Sequence, residues 1–364
     1  MGFYISDYET ELRQHINLSE SAWLVIDEDV KSFGNGGKYN LAGFLNRVFT
    51  NFYQDAEATV SQRRMSKEEE LVKLFSSDEF KAMDNSVTKT YITKIVDVYT
   101  QELLEKIGKY EKGRGQKVRI NKENVEILRE SSEAEFYNNS IGAYVKAVFE
   151  EYASKPMFER EQIYFKETVD GILSAIALKK KVKISILKKI DSESRESYTR
   201  KFYLTPYKIM QDKTRMYNYA VGYSEEIKED GALLPRTVVC YRISRIDHLL
   251  VLSSKGGYLS KADRDEIDEK IERKELQFLA GDVIELKVRF TDKGLENFNR
   301  QLYLRPHEYQ VVEGEDNVYV FNCTEMQAIN YFFKFGRDVE ILSPEETRER
   351  FAKRYRDAYD RYAK

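Results

Sequence analysis

Cysteine, histidine and tryptophan are scarce in this 364-residue chain, and the scarcity removes whole classes of function. The two cysteines, Cys240 and Cys323, each sit inside a β-type run. They cannot build a disulfide framework and read as buried free thiols in a reducing compartment. The three histidines, His15, His248 and His307, stand far apart, and no Cys/His spacing fits a zinc site. No metal or cofactor is expected. No apolar stretch approaches the ~18 residues a membrane helix needs, and the polar, acidic N-terminus shows no signal peptide. A cytoplasmic protein with no membrane association is expected. Catalytic signatures are missing as well: there is no nucleophile elbow, no HExxH and no paired-carboxylate pattern. Gly34-Asn35-Gly36-Gly37-Lys38-Tyr39 resembles a phosphate loop only in part. Its first glycine is absent, and Tyr39 stands where Ser or Thr would bind magnesium. The chain is expected to bind rather than to catalyse, and so not to be an enzyme.

What is present is charge, at 33% of residues, beside 41% hydrophobic residues. That balance, over this length, suits a globular protein of two or three domains. A net charge of −3 argues by itself against a nucleic-acid partner. Its distribution argues for one. Residues 176–260 hold 17 Lys and Arg against 9 Asp and Glu. Such asymmetry points to an anionic partner.

The N-terminal part holds a degenerate repeat. Leu41-Ala42-Gly43-Phe44-Leu45-Asn46-Arg47-Val48-Phe49 reappears one hundred residues later as Ile141-Gly142-Ala143-Tyr144-Val145-Lys146-Ala147-Val148-Phe149. Both have the apolar spacing of a helix with one buried face. The first copy follows a strand-like run over residues 23–30, the second a strand-like run and turn over residues 118–125. Strand, short helix, turn, longer helix resembles the ribbon-helix-helix family, in which two such units pair their strands into a ribbon. Here both units would lie in one chain, over residues 1–156, with a helical insertion at about 56–110 that the family lacks.

Residues 158–178 predict one amphipathic helix after Pro156. Five closely spaced strands follow, at 182–188, 200–210, 215–223, 237–246 and 248–252, as in a small barrel or sandwich. Residues 260–274 read as a charged helical connector. The last 90 or so residues alternate strand and helix and end in a helix over 345–362, with Ser343 as N-cap and Pro344 at its first position.

Within the strand region, Leu204-Thr205-Pro206-Tyr207, Tyr219, Gly222-Tyr223, Arg242 and Arg245 resemble the WYL domain, an Sm/SH3-like β-barrel. The name-giving triplet falls at Asn218-Tyr219-Ala220, and Ser244 stands where the Arg-x-x-Arg segment usually carries an acid. Residues 332–344 resemble the C-terminal extension that often follows WYL domains. The fold class implied is α+β and multidomain: a helical ribbon-helix-helix-like domain over 1–156, a WYL β-barrel with a leading helix over 157–260, and an α/β extension over 275–364. This layout resembles the WYL-type accessory proteins of type VI-D CRISPR systems. The resemblance implies binding of single-stranded RNA, stimulation of an RNA-guided CRISPR RNA nuclease without necessarily touching it, and self-association as a homodimer.

The expected nucleic-acid contacts follow. Arg242 and Arg245 offer the planar geometry that suits phosphate. Three residues apart on a flat strand they face opposite sides, so a bulge or strong twist must bring them together. One of them could instead pair with Asp247 or Asp212. Tyr217, Tyr219 and Tyr223 share strand parity and could stack bases, at ~1–3 kcal/mol per base, or fill a core. Tyr207 with Lys208, and Arg215 beside them, are similar candidates. In the ribbon, Lys117 and Arg119 offer backbone contacts. The matching face of the first strand, read at residues 23–30, carries Trp23 and Val25, so only one strand of the ribbon looks basic. That weighs against the alternative, a transcription regulator binding duplex DNA. A scaffold contacting an acidic protein is a third, blander option.

Overall fold

A computed structural model describes residues 2–34, 39–77, 84–110, 113–189, 197–212, 216–273 and 283–363. It divides into two compact units, Met1–Val169 and Asp170–Lys364. The chain is mixed α+β, with N-terminal helices and several antiparallel sheets.

The first unit is built on β1 (Leu12–Leu18) and β2 (Arg114–Ile120), which pair antiparallel with Leu12 opposite Ile120 and Leu18 opposite Arg114. The strand expected over 23–30 is not one. Those residues lie inside α1 (Glu20–Phe33), because Ala22, Ile26, Val30 and Phe33 recur at helical spacing and are buried, and Ser19 caps the helix by accepting from Ala22 N. The ribbon strand is the preceding segment, where buried Leu12, Ile16 and Leu18 alternate with outward-facing Arg13, His15 and Asn17.

The repeated apolar segments form α2 (Leu41–Phe52) and α6 (Ile141–Ser154). Each begins alike: Asn40 accepts from Gly43 N, and Ser140 accepts from Ala143 N. Between them lie α3 (Val60–Phe75), α4 (Asn85–Gly108) and α5 (Lys122–Glu130). The expected single helix over 158–178 is two, α7 (Met157–Tyr164) and α8 (Lys166–Leu178), broken at Phe165, whose φ −101° and ψ 28° leave the helical region. Buried acids hold this unit together by serving backbone donors. Glu150 accepts from Ser19 N at 2.6 Å, and Glu133 accepts from Val60 N at 2.8 Å and Ser61 N at 2.9 Å. Glu133 thereby caps α3, whose own N-cap Thr59 makes no capping bond because its hydroxyl is engaged with the Tyr53 carbonyl and the Tyr144 hydroxyl.

The second unit contains β3 (Lys180–Lys189), β4 (Ser197–Gln211), β5 (Asn218–Ile227), β6 (Thr237–Arg242) and β7 (Ile246–Lys255) in one antiparallel sheet, ordered β6-β5-β4-β3-β7. The last strand returns beside the first. Among the described residues no ladder joins β6 to β7, so the sheet is open where a closed barrel was expected. Gly222 lies so close to the Thr205 carbonyl that a Cβ there would collide with it, which fixes glycine in the middle of β5.

Helix α9 (Lys261–Arg273) follows. A second antiparallel sheet, ordered β11-β8-β10-β9, comprises β8 (Val283–Phe290), β9 (Glu308–Val311), β10 (Val318–Thr324) and β11 (Val339–Ser343). It is accompanied by α10 (Asp292–Arg300), α11 (Glu325–Phe332) and α12 (Glu345–Tyr362). Its core gathers Phe290, Phe298, Phe321, Tyr331 and Phe332. Strand β9 is additional to the expected pattern. Ser343 closes β11 and does not cap α12; Pro344 occupies that cap and offers no side-chain bond.

Candidate nucleic-acid interface

Strand β6 ends at Arg242, and a single 3-10 turn, Ile243–Arg245, leads directly into β7. The turn buries Ile243 and Ser244 and rotates the chain, so Arg242 and Arg245 both line one cavity of about 810 Å³. The bulge or twist the spacing required is this turn. The cavity also takes lining from Val239 and Tyr241, which lie on one face of β6, and from Cys240 and Arg242 on the other, so it wraps the sheet's edge strand.

Arg242 is positioned by an aromatic ring. Its guanidinium carbon sits 3.2 Å from the centroid of Tyr217, near enough for a strong cation–π contact. Tyr217 is itself held by local hydrogen bonds: its carbonyl accepts from Asp212 N at 3.2 Å, while Asp212 Oδ1 accepts from Met216 N at 3.0 Å. Arg245 is exposed at the rim. Deeper in, Arg200 donates through Nε to Glu226 Oε1 at 2.5 Å and through its terminal nitrogen to the other carboxylate oxygen. The ring of Tyr241 lies 5.2 Å from that of Phe202, and its hydroxyl, paired with Ser224 at 2.9 Å, is pushed up to about 12 by burial.

The remaining expected contacts divide. Tyr219 lines the cavity but is only 8% exposed and belongs to a core cluster with Val221, Tyr223 and Ile267. Its ring fills a core more than it offers a stacking surface. Tyr207 and Lys208 are not at the cavity. The ladder between β4 and β5 shifts register between Pro206 and Lys208, a bulge that turns two consecutive side chains toward α9. Tyr207 donates to Asp268 Oδ2 at 3.0 Å, and Lys208 Nζ reaches Oδ1 at 2.6 Å. Arg215 lies outside the described residues, as do 35–38 of the glycine-rich turn.

In the first unit Lys117 and Arg119 project from the outer face of β2, where Arg119 pairs with Glu11. The opposing strand is also basic. Arg13 faces Arg119 and His15 faces Lys117 across the ladder. Arg13 and His15 were missed because the first strand was sought at 23–30; the period-two alternation over Leu12–Leu18 carries the signal. Arg200, Glu226 and Tyr241 were missed because their convergence is tertiary. Among the described residues no group of His, Cys, Asp or Glu is arranged to hold a metal, and no helix is long and apolar enough to cross a membrane.

The WCX domain profile matches residues 282–359, the stretch that carries the second sheet and α12. Among solved structures, the chain resembles one described as the crystal structure of a CRISPR Cas-related protein. The two are 24% identical, and the match covers 99% of this chain and 95% of that one at a TM-score of 0.69, so the fold is shared over nearly the whole length. A second likeness, to proteasome accessory factor B/C (PafBC) of Arthrobacter aurescens, has a TM-score of 0.21 at 16% identity over 53% of this chain and 27% of that one, too low to bear on the fold. No curated protein matches significantly.

Proposed function

We propose that this protein is a CRISPR accessory factor that binds single-stranded RNA and raises the activity of an RNA-guided RNA nuclease of the type VI-D kind, acting as a binding protein and not as an enzyme. The observation that carries the reading is the pairing of Arg242 on Tyr217 with Arg245 at the rim of the same cavity. A single strand presents phosphates for guanidinium groups and splayed bases for aromatic walls. The strand order, with β7 returned beside β3, agrees with an Sm/SH3-like WYL core, and the WCX match supports the extension that follows it. The full-length likeness to a CRISPR Cas-related protein supports the same setting. Binding and self-association as a homodimer would together concentrate RNA near the nuclease. The test is a cleavage assay with the nuclease and its guide. Wild type accelerates target cleavage, and Arg242→Ala/Arg245→Ala does not; equal acceleration by both would remove the cavity from the account.

The ribbon favours a second reading. Both strands of its outer face are basic, with Arg13 and His15 opposite Arg119 and Lys117, and a two-stranded ribbon of this kind fits a major groove. Under this reading the protein is a ribbon-helix-helix/WYL transcription regulator that binds duplex DNA through Arg13 and Lys117.

A further inference from the structure

Helix α9 is acidic, and it meets Tyr207, Lys208, Tyr223 and Arg236. Three of its carboxylates meet groups suited to nucleic acid. Asp268 takes Tyr207 and Lys208; Glu266 accepts from the Tyr223 hydroxyl at 2.5 Å; Asp263 pairs with Arg236. Each tyrosine also carries its own cation. Lys208 Nζ is 4.9 Å from the Tyr207 ring centroid, and the Arg236 guanidinium carbon is 4.1 Å from that of Tyr223. Two tyrosine–cation pairs thus stand side by side beneath three carboxylates. A strand of RNA would present the same chemistry: anionic oxygens for Lys208 and Arg236, a hydrogen-bond acceptor for each hydroxyl, and a base for the half-buried Tyr207 ring, whereas the Tyr223 ring, 5% exposed, stays in the core.

The two halves of the contact differ in character. Fully buried Ile267 and nearly buried Leu259 fix α9 on the sheet through Val221 and Val238. The ion pairs are solvated: Lys208 and Asp268 are 34% and 42% exposed, Arg236 and Asp263 49% and 17%. Pairs of this kind contribute little to stability. Their effect is on the surface, where they cancel the positive charge of Lys208 and Arg236. Asp263 has a further duty. It accepts from Ser260 N at 2.9 Å and Ser260 Oγ at 2.8 Å, closing a capping box at the start of α9. Asp268 has no such role in the helix, and Glu266 adds only a solvated i,i+4 pair with Lys270 at 2.7 Å.

We infer that the face formed by Tyr207, Lys208 and Arg236, with the hydroxyl of core residue Tyr223 at its edge, is a second binding site for single-stranded RNA, and that Glu266 and Asp268 of α9 mask it as an intramolecular competitor. The inference rests on the proposed RNA-binding function and adds a second site and its restraint. The hydrogen bonds agree with it. Lys208 holds the Asp268 carboxyl below its ordinary range, and burial with the Glu266 bond pushes the Tyr223 hydroxyl up to about 12, so the carboxylates are charged and the hydroxyls protonated throughout the neutral range.

The test is fluorescence anisotropy with a labelled single-stranded RNA of about 20 nucleotides, using the full chain at two salt concentrations. Glu266→Gln/Asp268→Asn keeps the helix cap and the apolar anchors. It is expected to bind about 5- to 10-fold more tightly than wild type at low salt, with a salt slope steeper by roughly 0.7 for the one phosphate that Lys208 gains. Lys208→Ala has almost no effect in the wild-type background and reverses the gain in the neutralised one. Circular dichroism checks that each variant folds. If wild type binds RNA and the neutralised variant binds equally well, or gains affinity that Lys208→Ala leaves intact, the masked site is wrong while the cavity reading stands. If neither binds RNA, both fall together.

Discussion

Arg242 lies over the ring of Tyr217, its guanidinium carbon 3.2 Å from the ring centroid. The contact orders a long, planar cation beside the cavity that it lines. It follows that the ring of Tyr217, not its hydroxyl, matters. Tyr217→Phe should bind single-stranded RNA like wild type. Tyr217→Ala should lose about 1–2 kcal/mol, or roughly 5- to 30-fold in affinity. Both should melt close to wild type, since Tyr217 is only partly buried. Anisotropy together with thermal melting separates these effects.

Tyr219, two residues away, should behave in the opposite manner. It is buried among Val221, Tyr223 and Ile267. Tyr219→Ala leaves a cavity there and should cost about 3–5 kcal/mol of stability, while Tyr219→Phe is tolerated. Urea unfolding with an unchanged m-value is the check. A Tyr219→Ala variant as stable as wild type but defective in RNA binding would mean that the ring is a stacking platform after all.

The ribbon makes a separate prediction. If it reads duplex DNA, Arg13→Ala/Lys117→Ala should weaken duplex binding uniformly across sequences and flatten the salt slope by about 2, with single-stranded RNA binding unchanged. If the ribbon has only a structural role, the double variant binds duplex DNA as wild type does.

Glu133 sets a pH dependence. Burial raises its carboxyl above the ordinary value of 4.5, against the opposing pull of its hydrogen bonds to Ser61 and Val60. Between about pH 4.5 and the raised folded value, the folded state holds a proton that the unfolded state has released. Its contribution is fully present below about pH 4.5 and is lost as pH rises through the raised folded value. The advantage of wild type over Glu133→Gln in melting temperature should be largest at low pH and shrink toward neutrality. An advantage that grows with pH would reverse this sign.

Legibility in the sequence tracked how local the deciding interactions are. Helices α2 and α6 could be read directly, because apolar spacing and the caps Asn40 and Ser140 lie within one segment. The segment at 23–30 misled because Trp, Val and Ile favour strands, yet buried Ala22, Ile26, Val30 and Phe33 step at helical intervals. Strand β9 was missed because its alternation, Tyr309 and Val311 between Glu308 and Gln310, spans only four residues, all of them exposed. Arg242 and Arg245 were legible as a pair, but the 3-10 turn that unites them was not. Tyr207 and Lys208 were legible as binding groups, whereas their carboxylate partner lies about sixty residues downstream on α9.

The most direct test of the central claim is an anisotropy titration of wild type and Arg242→Ala/Arg245→Ala against single-stranded RNA, single-stranded DNA and duplex DNA of matched sequence at two salt concentrations. The account predicts tight, salt-sensitive binding to single-stranded RNA that the double variant loses by at least tenfold. A preference for duplex DNA that the double variant retains would contradict it and move the function to the ribbon of Arg13 and Lys117.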